Sequence, residues 1–296
     1  MFSALSMALT PILLLGALGI FLTRRTQYLD SPQLGSLVSN VGLPALLLSS
    51  VLKMDMDLGG MLSIVAATLL CLMAMLVVSL IFLKIMKLPS RYYLPPLVNP
   101  NTGNLGIPVA YALFGEEGLT VAVVVSSVVQ VSHFTLGVGF MSGSYRPKEL
   151  LKNGPVVALI LGVLALLFDV SLPAPMLKTL EMLSAITLPI MLMLLGKSLA
   201  NLSFKQSNTL YRSISFALFR PLVGAGIAAF IVPWFSFSEV EQAAIIALQG
   251  MSVAVISYML ATKFDGPKDE IALMILLSLP VSLAVAALVW WLKVAS

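Results

Sequence analysis

Long apolar runs separated by short polar breaks set the pattern of this chain. Ten such runs have the length of about 17–25 residues that a helix needs to cross a bilayer. The first five predicted helices lie at 2–23, 33–52, 58–83, 92–114 and 118–141. The second five lie at 154–170, 176–200, 209–232, 240–262 and 270–293. The pattern predicts an all-α membrane protein of ten transmembrane helices, with no soluble domain between them.

The composition agrees with a membrane protein and removes other classes. Hydrophobic residues make up 59% of the chain and charged residues 10%, whereas a soluble domain carries about 25% charged residues. The single Cys71 excludes an internal disulfide and a cysteine-based metal site. No basic run exceeds the pair Arg24-Arg25, so the positive net charge does not indicate nucleic-acid binding. The first run lacks a preceding basic segment and is predicted to be a transmembrane helix, not a cleaved signal peptide.

Charged residues in the loops orient the chain. Most basic residues fall after helices 1, 3, 5, 7 and 9: Arg24, Arg25, Lys84, Lys87, Arg91, Arg146, Lys148, Lys152, Lys205, Arg212, Lys263 and Lys268. The opposite loops carry three lysines and several acids: Lys53, Lys178, Lys293, Asp55, Asp57, Glu116, Glu117, Glu239 and Glu241. Cytoplasmic loops are enriched in Lys and Arg. We therefore expect a plasma-membrane protein with both termini on the non-cytoplasmic side.

Segments 37–48 and 182–193 resemble each other. Aligning Pro44 with Pro189 also matches Ser39 with Ser184, Leu43 with Leu188 and Leu47 with Leu192. Five helices separate the copies, so they would cross the membrane in opposite directions, as in transporters built from inverted repeats. This predicts one repeat over 1–141 and another over 153–296. Chance similarity between two leucine-rich helices is the alternative.

The fourth predicted helix contains the segment Asn99-Pro-Asn-Thr-Gly-Asn-Leu-Gly-Ile-Pro108. A continuous helix does not tolerate this combination of prolines, glycines and asparagines. No charged residue lies between Arg91 and Glu116, so the break is predicted at depth, where irregular backbone is found lining a cavity or buried in protein. A short loop between two helices is the alternative. The candidate binding residues here are Pro100, Asn101, Thr102, Gly103, Asn104, Gly106 and Pro108.

The ninth predicted helix offers a weaker signal. Gly250 is flanked by polar Gln249 and Ser252, but no proline follows, and this sequence alone is typical of an ordinary helix with one glycine. We add Gln249, Gly250 and Ser252 to the candidate site. We expect only a remnant of a second break and an asymmetric site dominated by Asn101.

Ionisable side chains are scarce at depth. Every Asp and Glu falls in a loop or near a helix end, so a deep carboxylate site for a cation is not predicted. Arg220 either neutralises an anionic substrate or extends to the cytoplasmic face. His133 is either a proton-coupling group or a hydrogen-bonded packing residue. Asn40, in the second helix, completes the candidates.

The quoted motifs resemble the auxin efflux carrier family, which includes the plant auxin exporters and bacterial malonate-type carriers. The resemblance rests on Pro44, Pro100-Asn101-Thr102, Gly106-Ile107-Pro108, Phe114-Gly115 and the segment 249–261. It implies ten helices in two inverted repeats, with broken helices 4 and 9 crossing as in the bile acid/sodium symporter superfamily. It also implies elevator-type transport, with helices 1, 2, 6 and 7 as scaffold and helices 3–5 and 8–10 as transport domain. Many bacterial members carry Pro and Asn near Ser252 and Ile256, and both are absent here.

These observations predict a secondary active transporter or uniporter that exports a small organic anion, a carboxylate. The membrane potential favours anion exit by about 2.3 kcal/mol per charge per 100 mV. The alternatives are a transporter-derived sensor or inactive relative, and a sodium-coupled organic-acid symporter. No hydrolase motif is present, so no enzyme activity, metal or cofactor is predicted. The expected partners are the organic anion and the bilayer, with a homodimer through the scaffold as a further option and no nucleic acid.

Overall fold

A computed structural model describes residues 2–53, 58–143, 154–168, 170, 172–201 and 210–293. This part of the chain is helical, as predicted, and its one extended pairing is an isolated antiparallel bridge between Pro100 and Val253. Several charged residues used for the orientation lie outside the described residues: Asp55, Asp57, Arg146, Lys148, Lys152 and Lys205.

Helices occupy every predicted span, and several of those spans contain two helices. The first half comprises α1 (Phe2–Arg25), α2 (Pro32–Leu37), α3 (Leu43–Lys53), α4 (Leu58–Ile85), α5 (Ser90–Val98), α6 (Ile107–Ser132) and α7 (Val138–Ser142). Three π-helical stretches connect some of them: Val38–Gly42, Thr102–Gly106 and His133–Gly137. The second half comprises α8 (Gly154–Leu167), α9 (Ala174–Ala185), α10 (Thr187–Ala200), α11 (Leu210–Ile231), α12 (Glu239–Gln249), α13 (Val255–Lys263) and α14 (Lys268–Lys293).

Five helical segments among the described residues are long and apolar enough to cross a membrane. They are Gly59–Ile85, Thr102–Met141, Ala174–Leu194, Leu210–Trp234 and Lys268–Leu292. The 40-residue segment is about twice the length of one span. It turns at Gly115, whose φ of 65° lies in the left-handed region that favours glycine. The turn falls between the predicted fourth and fifth helices. The chain is thus a multi-pass helical membrane protein.

The predicted second and seventh helices are each interrupted just before their matching prolines. A π-helical stretch precedes Pro44, and Ile186 separates α9 from α10 before Pro189. A proline ring clashes with the carbonyl group four residues earlier, which here belongs to Asn40 or Ala185. The helix must widen or restart there. The two segments that look alike in sequence are therefore interrupted at equivalent places.

Glycines bring α1 and α10 into close contact. A methyl group added at Gly19 would overlap the Met193 carbonyl, and one added at Gly196 would overlap the Gly16 carbonyl. Contact between backbones requires residues without side chains, as at many helix interfaces in membranes. These glycines therefore fix the spacing of the two helices.

We expect Gly196→Ala to lower the thermal unfolding temperature in detergent, because the new methyl group must push two backbones apart. Overpacking of this kind costs about 1–3 kcal/mol. Gly16→Ala is the matched control on the facing helix, since a methyl group there meets nothing within 4 Å. Equal unfolding temperatures of the two variants would contradict this interface.

Candidate functional site

The predicted break in the fourth helix is present. Helix α5 ends at Val98, and Asn99 is extended with φ −96° and ψ 113°. The chain resumes a helical course at Thr102, after Asn101 with φ −77° and ψ 56°. The Gly106 N–H donates to the Asn101 carbonyl at 3.0 Å. Irregular backbone is thus confined to three buried residues between two helical segments.

A second break lies in the ninth predicted helix, and the expectation of a mere remnant is wrong. Helix α12 ends at Gln249, and α13 begins only at Val255, after an extended Ala254 with ψ 137°. Gly250 permits close packing of the break against α14, because a methyl group there would lie 2.8 Å from Cγ1 of Val285. Both helices are therefore broken, although this segment has no proline.

Partners from three other segments satisfy backbone groups at the second break. The Gln249 carbonyl accepts a hydrogen bond of 2.7 Å from Nη1 of Arg220. The Ser252 carbonyl accepts one of 2.9 Å from the backbone N–H of Asn101. The Val253 N–H donates to Oγ of Ser278 at 3.1 Å. Buried backbone groups need such partners, and these three contacts supply them at the second break.

The two breaks touch each other. Besides the backbone bond, Nδ2 of Asn101 donates to Oγ of Ser252 at 3.4 Å. The bridge between Pro100 and Val253 continues this contact. Gly106 allows the close approach, because a methyl group there would lie 2.8 Å from Cδ2 of Leu248. The structure thus brings together Asn101 and Ser252, both predicted for the site.

Arg220 is completely buried in α11, which excludes the predicted alternative of extension to the cytoplasmic face. Its Nη1 binds the carbonyl at the C-terminal end of α12, where the helix dipole is negative. Gly224 leaves room for this contact, since a methyl group there would overlap both Nη1 and the Gln249 carbonyl. Nε and Nη2 have no hydrogen-bond partner among the described residues. Two donors of a buried cation therefore remain available for a ligand.

His133 lies beside the first break, buried at the start of a π-helical stretch. Its ring lies against the backbone of Pro100. Nδ1 has no hydrogen-bond partner among the described residues. The ring is therefore packed against the break with one nitrogen left without a partner.

The remaining candidates differ in their surroundings. Nε2 of Gln249 is buried and has no partner among the described groups. Gly103 and Asn104 are partly exposed, whereas Thr102 and Pro108 are buried. Asn40 is exposed and donates to Oγ of Ser36 at 3.0 Å, so none of its described hydrogen bonds reaches the crossing.

Sequence reasoning missed two polar residues at the breaks. Ser278 appears in the sequence only as a small polar residue inside an apolar run, and nothing there links it to Val253. Asn99 belongs to the helix-breaking segment of the fourth predicted helix but is not among the candidate binding residues. Its predicted depth in the membrane was the signal that could have added it to them. Both of its side-chain polar atoms are buried, and neither has a hydrogen-bond partner among the residues that the structure describes. The described residues contain no group of three His, Cys, Asp or Glu side chains that could hold a metal ion.

Comparison with known proteins agrees with a transporter. Residues 4–146 match a family model described as membrane transport protein. An uncharacterized transporter of Methanocaldococcus jannaschii is 31% identical over 201 residues, and the match covers 65% of this chain. The chain likewise spans only 65% of that relative's length. The family match includes Asn101 and His133 and ends before Arg220 and the second break. These matches confirm the resemblance to the auxin efflux carriers, and the first part of the chain, residues 4–146, is similar to membrane transport proteins.

Proposed function

We propose that the chain carries a small organic anion, a carboxylate, across the membrane through the crossing of the two broken helices. The observation that carries the proposal is the buried guanidinium of Arg220, with two donors unpartnered beside the second break. A buried cation without a counter-ion is costly. A carboxylate fits the geometry of a guanidinium and would supply the missing acceptor.

The distribution of acidic groups supports an anion over a cation. Among the described residues, the buried carboxylate is that of Glu270, and Arg212 already pairs with it. The polar groups at the crossing are amides, hydroxyls and Arg220. Amide N–H groups and the start of the helix after Asn101 favour negative charge. The site thus carries positive potential without a compensating acid.

Helix packing supports two inverted repeats, 1–141 and 153–296. Gly42 and Thr187 occupy matching positions when Pro44 is aligned with Pro189. They touch in the structure, where a methyl group at Gly42 would overlap Oγ1 of Thr187. The helix pairs α1–α10 and α3–α8 also pack closely. Equivalent positions meet in this way when a two-fold axis passes between the repeats.

We propose elevator-type movement on the basis of the same division. Helix α10, in the proposed scaffold of predicted helices 1, 2, 6 and 7, packs against the stretch Thr102–Gly106 of the first break. The crossing lies in the proposed transport domain of predicted helices 3–5 and 8–10, so sliding that domain along the scaffold would carry the site across the membrane. The proposal places the protein in the plasma membrane with both termini outside and allows a homodimer through the scaffold.

We expect purified protein in liposomes to move indole-3-acetate or malonate electrogenically. An inside-negative potassium diffusion potential should drive efflux, because 100 mV contributes about 2.3 kcal/mol per charge. The measurement is radiolabelled efflux at several imposed potentials, with empty liposomes as the control.

Two results would reject this function. Electroneutral uptake that requires sodium would indicate a sodium-coupled symporter. Ligand-dependent thermal stabilisation without flux at any potential would indicate a sensor derived from a transporter.

A further inference from the structure

A second group of buried polar atoms lies at the first break. We call it the π-turn pocket and define it by Asn99, His133, Gly137 and Leu260. Oδ1 and Nδ2 of Asn99 and Nδ1 of His133 have no hydrogen-bond partner among the described groups. Asn99 is 0% and His133 4% exposed. Buried polar atoms left without partners cost about 1–3 kcal/mol each.

The pocket surrounds the position that a side chain at residue Gly137 would occupy. A methyl group there would lie 3.9 Å from Nδ2 of Asn99, 3.9 Å from Nδ1 of His133 and 3.5 Å from Cδ1 of Leu260. One point therefore faces both polar side chains at a distance slightly longer than a hydrogen bond. Neither side chain hydrogen-bonds to the other, so a third group is needed to join them.

The hydrogen-bonding state of His133 defines that third group. Nδ1 is a ring nitrogen without a partner among the described groups, and in the neutral ring with its proton on Nε2 this nitrogen carries a lone pair that needs a donor. The Asn99 amide needs both a donor and an acceptor. Water supplies both in one small molecule, and buried water typically makes about three such bonds. A π-helical stretch, here His133–Gly137, often marks a functional position in a helix.

We propose that the π-turn pocket binds one water molecule, which donates a hydrogen bond to Nδ1 of His133 and joins it to the Asn99 amide. The water links the π-helical stretch to the end of α5. His133 therefore positions the first break through this water, in addition to its direct contact with the backbone of Pro100. The proposal does not depend on which cargo is carried.

The chain contains a single histidine, so ¹⁵N-histidine labelling reports on His133 alone. The protein is purified without a histidine tag and studied in lipid bilayers by solid-state NMR. We expect the neutral ring with its proton on Nε2, and an Nδ1 chemical shift typical of a hydrogen-bond acceptor. We also expect magnetisation transfer from water to the ring. An Nδ1–H tautomer, or a ring without transfer from water, would overturn the proposal.

Gly137→Ala tests the location. The added methyl group makes only ordinary contacts and occupies the space between the two side chains, so we expect a folded protein that has lost the water transfer. Gly226→Ala on α11 is the control, because a methyl group there meets nothing within 4 Å, and it should keep the transfer. Unchanged transfer in Gly137→Ala contradicts the proposal.

Asn99→Leu provides an independent variant if Gly137→Ala does not fold. It removes one partner of the water and leaves the π-helical stretch intact. We expect the water transfer to His133 to weaken and the Nδ1 shift to move toward that of a free lone pair. A wild-type spectrum in this variant would show that water at His133 does not use Asn99.

Discussion

Arg220→Met is expected to reduce kcat/KM for anion transport by about 30-fold or more. Truncating one partner of a buried charged contact costs about 2–5 kcal/mol, and each 1.4 kcal/mol corresponds to a factor of ten. The change removes the donor to the Gln249 carbonyl and the charge proposed to bind the cargo. The measurement is initial transport rate against substrate concentration in liposomes. Arg25→Met, at an exposed arginine, is the control and should transport like the wild type.

Two further variants separate the two contributions of Arg220. Arg220→Gln keeps a neutral donor for the Gln249 carbonyl but loses the charge, so we expect KM to rise more than kcat falls. Arg220→Lys keeps the charge but loses the planar fork with its additional donors. We expect it to retain more affinity than Arg220→Gln. Full activity of Arg220→Gln would mean that the side chain only caps α12 and does not bind an anion.

The sequence predicted those features that depend on local composition. Apolar runs bounded by charged residues located the helices, because lipid excludes charge and irregular backbone. The motif around Asn101 predicted the first break, because Pro100 and its neighbours cannot continue a helix. Gly115 ends the fourth predicted helix with a positive φ. In each case the cause lies within a few residues of its effect.

The second break was underestimated because its causes lie far along the chain. The carbonyl of Gln249 is held by Arg220, and that of Ser252 by Asn101, about 150 residues earlier in the chain. A helix with one glycine gives no local sign of these partners. The signal that was available is the unexplained charge of Arg220 at depth, which needs a negative group. The carboxyl end of a broken helix is such a group, so the buried arginine and the second break account for each other.

Glu270→Ala is expected to give the largest loss of stability among single changes at the helix ends. Glu270 is buried in the first turn of α14 and is bound by Arg212 of α11 through Nε and through Nη2 at 2.5 Å. It also accepts a hydrogen bond of 2.7 Å from the Tyr93 hydroxyl of α5. Removing one partner of a buried ion pair costs about 3–5 kcal/mol. Because the Arg212 side chain is 33% exposed and can regain water, we expect about 2–3 kcal/mol.

A series of variants tests that one carboxylate holds three helices together. Glu270→Gln keeps an acceptor for Tyr93 and should lose less stability than Glu270→Ala. Tyr93→Phe should lose least, because it removes a single hydrogen bond to a charged group. The measurement is the thermal unfolding temperature in detergent, with the exposed Glu239→Ala as the control. An unfolding temperature of Glu270→Ala equal to that of the control would contradict this arrangement.

The double variant Arg212→Ala/Glu270→Ala distinguishes an ion pair from two independent residues. Independent residues would give additive losses. In an ion pair, each single change leaves the other residue without its counter-charge. The second change then removes that unpaired residue. The double variant should therefore be clearly more stable than the sum of the single changes predicts. The hydroxyl of Tyr93 remains without its acceptor in the double variant, so stability should not return fully to that of the wild type. The Arg212 guanidinium also lies 5.6 Å from the centre of the Tyr93 ring. A phenylalanine ring retains this cation–π contact. Tyr93→Phe should therefore weaken the coupling energy between Arg212 and Glu270 only slightly.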